Sequence, residues 1–250
     1  MLNQMLFTSS YWTPANIPTV FWYDAADSST ITASGSQVTQ VLDKSGNNVT
    51  LTRAIGQSGP LTGTRALNGL NVFEWTGNNC LHNTSFTHNQ VATPLNIAMV
   101  VELDASNTLF TLVAGRPIIQ TFNRLNVRVR ATNFWDIFGG NGSADKTVGG
   151  AVSAANQPYI VIPKINSTNS AWRVNGVLSA TGDAGTINFT TLGWGHNENE
   201  AVDLDGYFGE MIGFSDNTKQ ETIEGYLAWK WGIVNNLPEA HPYKTTAPRL

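Results

Sequence analysis

The sequence predicts an all-β fold, a sandwich or barrel of antiparallel strands closed by one C-terminal helix. Three observations carry this. Runs rich in β-branched and aromatic residues recur at roughly 8–12-residue spacing, with turn clusters between them. Only residues 218–231 show a helical apolar stripe. Charged residues make up 13% of the 250-residue chain, against about a quarter in an average soluble domain. Asn, Gly, Ser and Thr fill the difference, which suits turns and strands. There is no linker, shift of composition or internal repeat, so residues 1–250 are expected to form one domain. Residues 1–17 form an N-terminal arm in this scheme, and 233–250 an extended tail.

The elements follow in order. Two prolines precede the run Val20–Tyr23, a first strand. Ile31 follows a Ser/Thr loop. Gln37–Leu42 alternates as a half-buried strand. Residues 43–48 (Asp-Lys-Ser-Gly-Asn-Asn) are a turn by composition, and Val49–Arg53 is a short strand. Gly56–Gly63 is a loop. Leu70–Trp75 places Val72 on one face and Phe73 and Trp75 on the other.

Leu95–Leu103 alternates Leu95, Ile97, Met99, Val101 and Leu103, and Val100 adds burial on the second face. This is a central strand. Leu109–Ala114, Ile118–Phe122, Leu125–Ala131 and Phe134–Phe138 follow as strands, and Gly139–Gly150 reads as a loop. In Tyr159–Ile165, Pro163 predicts an edge strand or a bulge, because proline cannot donate to the ladder. Asn175-Gly176 between two β runs is a hairpin signal, since both residues tolerate positive φ in a type I′ turn. Thr186–Trp194 and Asp205–Phe214 complete the strands.

Thr218 and Glu221 form a T-x-x-E capping box at the helix start. Ile223, Tyr226, Leu227 and Trp231 make its apolar stripe. Gly232 suits the left-handed residue that ends a helix, and Pro238 and Pro242 forbid further helix.

Composition excludes several functions. Net charge is −4 and no Lys/Arg run exists, so a nucleic-acid groove is not expected. The densest basic stretch is Arg124, Arg128 and Arg130, with Arg128 and Arg130 on one strand face. Cys80 is the single cysteine, read as a small buried hydrophobe; no disulfide framework or cysteine zinc site follows. Residues 1–10 lack the pattern of a secretory signal. No apolar run approaches membrane-spanning length. The Asn-x-Ser/Thr triplets at Asn48, Asn83, Asn141, Asn166 and Asn188 read as Asn-rich loops. The chain is expected to be made in a host cytoplasm and released by lysis or a dedicated route.

Several motifs together resemble a known group. Tyr23-Asp24-Ala25-Ala26-Asp27 through Ile31, then Asp43-Lys44-Ser45-Gly46-Asn47, are similar to the opening of concanavalin A-like, laminin-G-like domains common in phage and bacterial surface proteins. The likeness continues through Ala66-Leu67-Asn68-Gly69, Val72-Phe73 and the Trp172–Val177 hairpin. It closes with Phe208-Gly209-Glu210-Met211-Ile212, Ile223 through Gly232, and the tail Leu237-Pro238-Glu239-Ala240-His241-Pro242-Tyr243. It spans nearly the whole chain and departs at Val41-Leu42, where similar domains carry a Trp before the Asp. The resemblance implies a concanavalin A-like jelly-roll β-sandwich of two antiparallel sheets.

Some proteins of that fold are β-glucanases, which need two carboxylates flanking the scissile bond. On one strand these must share parity. Asp203 and Asp205 do, but Glu210 falls on the opposite face and no Glu-x-Asp step leads to a spaced Glu. Catalysis is therefore not expected. The cluster Glu198, Glu200, Asp203 and Asp205 is the candidate calcium site, because loop carboxylates supply the oxygens that calcium takes. Asp24, Asp27 and Asp43 are a second candidate, for which turn chemistry is the competing account. The histidines and serines form no zinc, triad or nucleophile-elbow pattern.

Sugar recognition uses an aromatic platform with amide and carboxylate partners. Trp135 with Asp136, and Trp194 with His196 and Asn197, are the candidate ligand residues; the competing role for each Trp is core. Trp12, Trp22 and Trp75 read as core. Trp229 points off the helix stripe, so either the tail folds over it, the favoured reading because Leu237 and Pro238 follow closely, or Trp229, Leu237 and Pro238 face a partner.

The leading functional expectation is a non-enzymatic virion accessory or decoration protein of a phage, on the virion surface, lectin-like and a candidate binder of host or environmental glycans. Its partners would be other capsid or tail proteins or further copies of itself. The alternatives are a receptor-binding lectin at a tail or fibre tip and a glucanase-like polysaccharide depolymerase.

Overall fold

A computed structural model describes residues 11–77, 79–105, 109–115, 124–130, 134–152, 154–195 and 204–250. The strands in the first half are β1 (Thr19–Asp24), β2 (Ile31–Ser34), β3 (Gln37–Val41), β4 (Leu51–Arg53), β5 (Ala66–Leu67), β6 (Leu70–Asn71), β7 (Phe73–Thr76), β8 (Leu81–Asn83) and β9 (Leu95–Leu103). There follow β10 (Phe110–Ala114), β11 (Leu125–Val129), β12 (Phe134–Gly140), β13 (Asp145–Val152), β14 (Tyr159–Ile165) and β15 (Ser170–Val174). The chain continues with β16 (Val177–Gly182), β17 (Leu192–Trp194), β18 (Asp205–Phe214) and the helix α1 (Gln220–Lys230).

Two large antiparallel sheets form a jelly-roll sandwich. One runs β1-β18-β9-β14-β15-β16, with β7 also paired to β18; the other runs β13-β12-β11-β10-β17-β8-β4-β3-β2. β9 sits in the middle of the first sheet and is buried throughout. Leu95, Ile97, Met99, Val101 and Leu103 enter the core between the sheets. Ala98 and Val100 face a second core with Tyr226, Leu227 and Trp231 of the helix region. The first sheet is therefore covered on both faces, which is why every residue of β9 is buried, Asn96 and Glu102 included.

The sheet edge at β1 is closed by the turn that follows β3. Asp43 accepts N–H bonds from Trp22 at 2.9 Å, Ser45 at 2.9 Å and Val49 at 3.0 Å. The Lys44 N–H reaches the Trp22 carbonyl, and the Asn47 amide donates to the carbonyls of Thr19 and Val20. These bonds occupy backbone groups that an open edge would offer to another strand. The Asp-Lys-Ser-Gly-Asn segment is thus an edge cover. Its one carboxylate, Asp43, is spent on turn and edge bonds, and its Lys44 bridges Asp24 at 3.0 Å and Asp27 at 2.6 Å.

The helix is fixed by a buried polar knot. Glu210 of β18 is fully buried. It accepts from Trp22 Nε1 at 2.6 Å, Tyr226 OH at 3.0 Å, Lys230 Nζ at 2.7 Å and Trp231 Nε1 at 2.9 Å. Lys230 also pairs with Asp24 at 2.7 Å. Burial pushes the Glu210 carboxyl up; Lys230 offsets this in part, and Asp24 adds to it. Burial also pushes Asp24 up, but Lys230 and Lys44 outweigh it and leave Asp24 below its ordinary value. A second knot joins the helix to the Asn-Gly hairpin. Arg173 grips Glu224 with two bonds of 2.8 Å, and His241 of the tail lies 3.3 Å from the same carboxylate.

The tail lies over the helix. Trp229 Nε1 donates to the Tyr243 carbonyl at 2.8 Å. A Cβ on Gly225 would stand 2.5 Å from that of Tyr243, so glycine is needed for this approach. Trp12 N–H reaches the Pro248 carbonyl, joining the two ends of the described chain.

Several local expectations are corrected. The capping box does not form: Asp216 accepts from Thr218 N–H and caps a 3-10 turn, Asn217–Lys219, that leads into the helix. Residues 139–150 hold strand as well as turn, with β12 reaching Gly140 and β13 beginning at Asp145. Gly150 is where β13 crosses Trp172, whose side chain would lie 3.1 Å from an added Cβ, so a glycine there reflects packing. Pro163 lies on an inner strand, β14. It pairs with Trp172 on one side, and the β9 ladder is interrupted opposite it. Only Leu192–Trp194 of the 186–194 run is strand. β5 and β8 were not anticipated. Ile118–Phe122 lies outside the described residues. Asn175 (φ 48°) and Gly176 (φ 81°) form the expected left-handed turn.

Candidate ligand-binding face

The second sheet turns one face to the core and the other outward. Val41, Leu51, Leu81, Trp194, Val127, Ile137 and Val148 point inward. Alternation then sends their neighbours outward. In direct register these outward residues make one row across nine strands: Thr32, Gln40, Thr52, His82, Gly193, Ala114, Asn126, Phe138 and Thr147. The row offers hydroxyl, amide and imidazole groups and one aromatic ring. Thr32, Gln40, Thr52 and His82 are exposed or half-buried at one end, as are Phe138 and Thr147 at the other; Gly193, Ala114 and Asn126 between them are buried.

A second outward row crosses the same sheet as Thr111, Arg128, Asp136 and Gly149. Asp136 is fully buried and held by two guanidinium groups. Arg128 Nε donates to it at 2.8 Å and Nη2 at 3.3 Å, and Arg130 Nε donates to Oδ2. Arg128 and Arg124 lie 3.6 Å and 4.8 Å from the Phe138 ring centroid, within cation–π range. Arg124 also pairs with Asp145 at 3.1 Å. The Thr111 hydroxyl is buried with no hydrogen-bond partner among the described residues.

The expected ligand residues are divided by this geometry. Trp135 and Trp194 are fully buried and cannot form a platform. Trp135 packs against Tyr159 and Trp172, and Trp194 against Trp75, Phe208 and Tyr23. Both belong to inward-facing positions. Asp136 faces outward but is saturated by arginine. His196 and Asn197 lie outside the described residues, as do Glu198, Glu200 and Asp203 of the candidate calcium site. Asp205 is exposed at the start of β18. Burial, Asp104 and Glu74 raise its carboxyl, against Arg65. No group of three or more potential metal ligands occurs among the described residues.

Of the two roles weighed for Trp229, Leu237 and Pro238, the tail cover is the one found. Leu237 is buried in the helix-side core, and the Trp229 indole is bonded to the tail. Pro238 is half-buried near the hairpin turn, its side chain 3.1 Å from the Cβ position of Gly176. The three residues hold the tail down. The residues that sequence reasoning missed are Phe134, Phe138 and the polar row. The pairing Arg128/Arg130 on one face was visible; its juxtaposition with β12 required the register.

The chain matches no family model and no curated protein. Solved structures do match. The binding domain of botulinum neurotoxin DC in complex with rat synaptotagmin II aligns with a TM-score of 0.58 at 13% identity, over 82% of this chain and 50% of that one. A botulinum neurotoxin type C structure, described by cell entry dependent upon interaction with two ganglioside molecules, aligns at 0.56 and 12%, over 84% and 51%. Trypanosoma rangeli sialidase in complex with sialic acid aligns at 0.52 and 11%, over 87% and 35%. The likeness is one of fold. This chain spans about half, or less, of the length of these proteins. No helix among the described residues is long and apolar enough to cross a membrane.

Proposed function

We propose that this chain is a non-enzymatic, lectin-like recognition protein carried on a virion surface as an accessory or decoration protein, where it binds glycans of the host or surroundings. The outward row of the nine-stranded sheet carries this reading. A pyranose has an apolar face and a polar rim, and hydroxyls, amides and an aromatic ring on a rigid sheet match both. The fold likeness to proteins whose structures are described with gangliosides or sialic acid supports a glycan as the ligand class. The motif resemblance to phage surface domains supports the virion setting.

The placement of Glu210 supports a non-enzymatic role. A glycosidase carboxylate must reach the glycosidic bond, whereas Glu210 is enclosed by Trp22, Tyr226, Lys230 and Trp231 beneath the helix. A glycan array probed with the full chain tests the reading, together with cryo-EM of particles that carry it. Bound glycan and density on the capsid shell are expected. An array blank for every saccharide removes the recognition role, density confined to the tail tip supports the receptor-binding alternative, and release of reducing ends from polysaccharide refutes the non-enzymatic one.

A further inference from the structure

We propose that the glycan taken by this face is acidic, with its carboxylate held by the terminal N–H groups of Arg130 and its ring set against Phe134. This rests on the glycan-binding reading above. Among the described residues, Arg124, Arg128 and Arg130 meet two carboxylates, Asp136 and Asp145. The β11–β12 face therefore carries one surplus positive charge, on a chain whose net charge is −4. The surplus is localised by burial. Asp136 is fully enclosed and gives both oxygens to arginine, and the Arg128 side chain is only 12% exposed. Arg130 is 41% exposed and spends its Nε on Asp136.

A guanidinium has five N–H donors in a planar fork. The terminal donors of Arg130 are held in orientation by the Nε bond, which suits a planar carboxylate more than a solvated ammonium would. The register supplies the second contact. Arg128 faces Asp136 and Val129 faces Trp135, so Arg130 stands opposite Phe134, and the Arg130 N–H donates to the Phe134 carbonyl at 2.9 Å. Phe134 is 41% exposed. A cation and a bare aromatic ring thus meet on one outward surface, one for the anionic group and one for the apolar face of the sugar.

The test is an array, followed by calorimetry, on the full chain with sialylated and uronate-bearing oligosaccharides, each beside its methyl ester and its neutral parent. The free acids are expected to bind at least about tenfold more tightly than the esters, the loss of one charge-assisted pair. Arg130→Gln should abolish that difference with its thermal midpoint kept, because Arg128 still holds Asp136. Phe134→Ala should weaken acid and ester alike. Esters or neutral parents that bind as tightly as the acids overturn the acidic assignment, an unchanged acid preference in Arg130→Gln overturns the role of Arg130, and both leave glycan recognition intact. Failure of every saccharide to bind removes both.

Discussion

Lys230→Met isolates the energetics of the helix clasp. The Lys230 ammonium lies 2.7 Å from both Glu210 and Asp24. At that separation a charge pair attracts with about 6 kcal/mol for an effective dielectric of 20, before desolvation is counted. Methionine fills much of the lysine stem but carries no charge. Asp24 would keep Lys44 at 3.0 Å. Glu210 would keep Trp22, Tyr226 and Trp231 as neutral donors and lose its cation. Removing one partner of a buried pair costs about 3–5 kcal/mol, because the other charge stays buried. Adding Glu210→Gln should recover much of that loss, since the stranded charge is gone. Recovery should stop about 1–3 kcal/mol short, as the new amide N–H₂ meets other donors. Urea unfolding followed by tryptophan fluorescence measures this, with the slope expected to stay constant. A single variant within about 1 kcal/mol of the parent, or a double variant less stable than the single, would refute the argument that Lys230 neutralises a buried carboxylate.

Further outcomes follow from the same geometry. Trp194→Ala should cost about 3–5 kcal/mol by opening a core cavity, read as a lowered midpoint, while the folded fraction keeps its glycan affinity; lost binding at unchanged stability would contradict its core role. Thr111→Val keeps the shape and removes a buried hydroxyl that has no partner among the described residues, so stability should rise by about 1 kcal/mol, and a lower melting midpoint would refute this. Asp24 and Asp27 sit below their ordinary value of 3.8, so their contribution is present above that pH and lost as pH falls below it. Glu210 has the opposite sign. Its folded state holds a proton more tightly than the unfolded chain, so its contribution declines as pH rises above its ordinary 4.5. Glu210→Gln should therefore remove the decline above pH 4.5 and keep the acid loss, as measured by urea midpoints across pH.

Much of the architecture is legible in the sequence. The alternation of Leu95–Leu103, the Asn175-Gly176 turn, the apolar stripe of the helix and Gly232 are local signals of period and backbone freedom, and each appears where expected. Local chemistry misleads where packing decides. The glycines and polar residues of 139–150 read as loop, yet β13 pairs along β12 and passes closely over Trp172 at Gly150. Trp135 and Trp194 stand beside polar residues in sequence, and their strand parity turns them inward. Alternation alone sets Glu210 opposite Asp205, but a bulge in β18 between Phe208 and Met211 carries Glu210 to the helix side with Tyr207; its enclosure by two tryptophans, a tyrosine and a lysine is a long-range fact.

The sequence by itself determined the all-β class, the strand periods and the single C-terminal helix, because these depend on residues a few positions apart. Only the tertiary structure decided which faces are open. The helix and tail cover one sheet and use Trp229, Leu237, Glu210 and Lys230 in doing so. On the other sheet, strand register brings Arg130 to Phe134 and aligns Thr32 with Thr147 across nine strands. Register is a long-range property set by the two cores, and it places the candidate binding face.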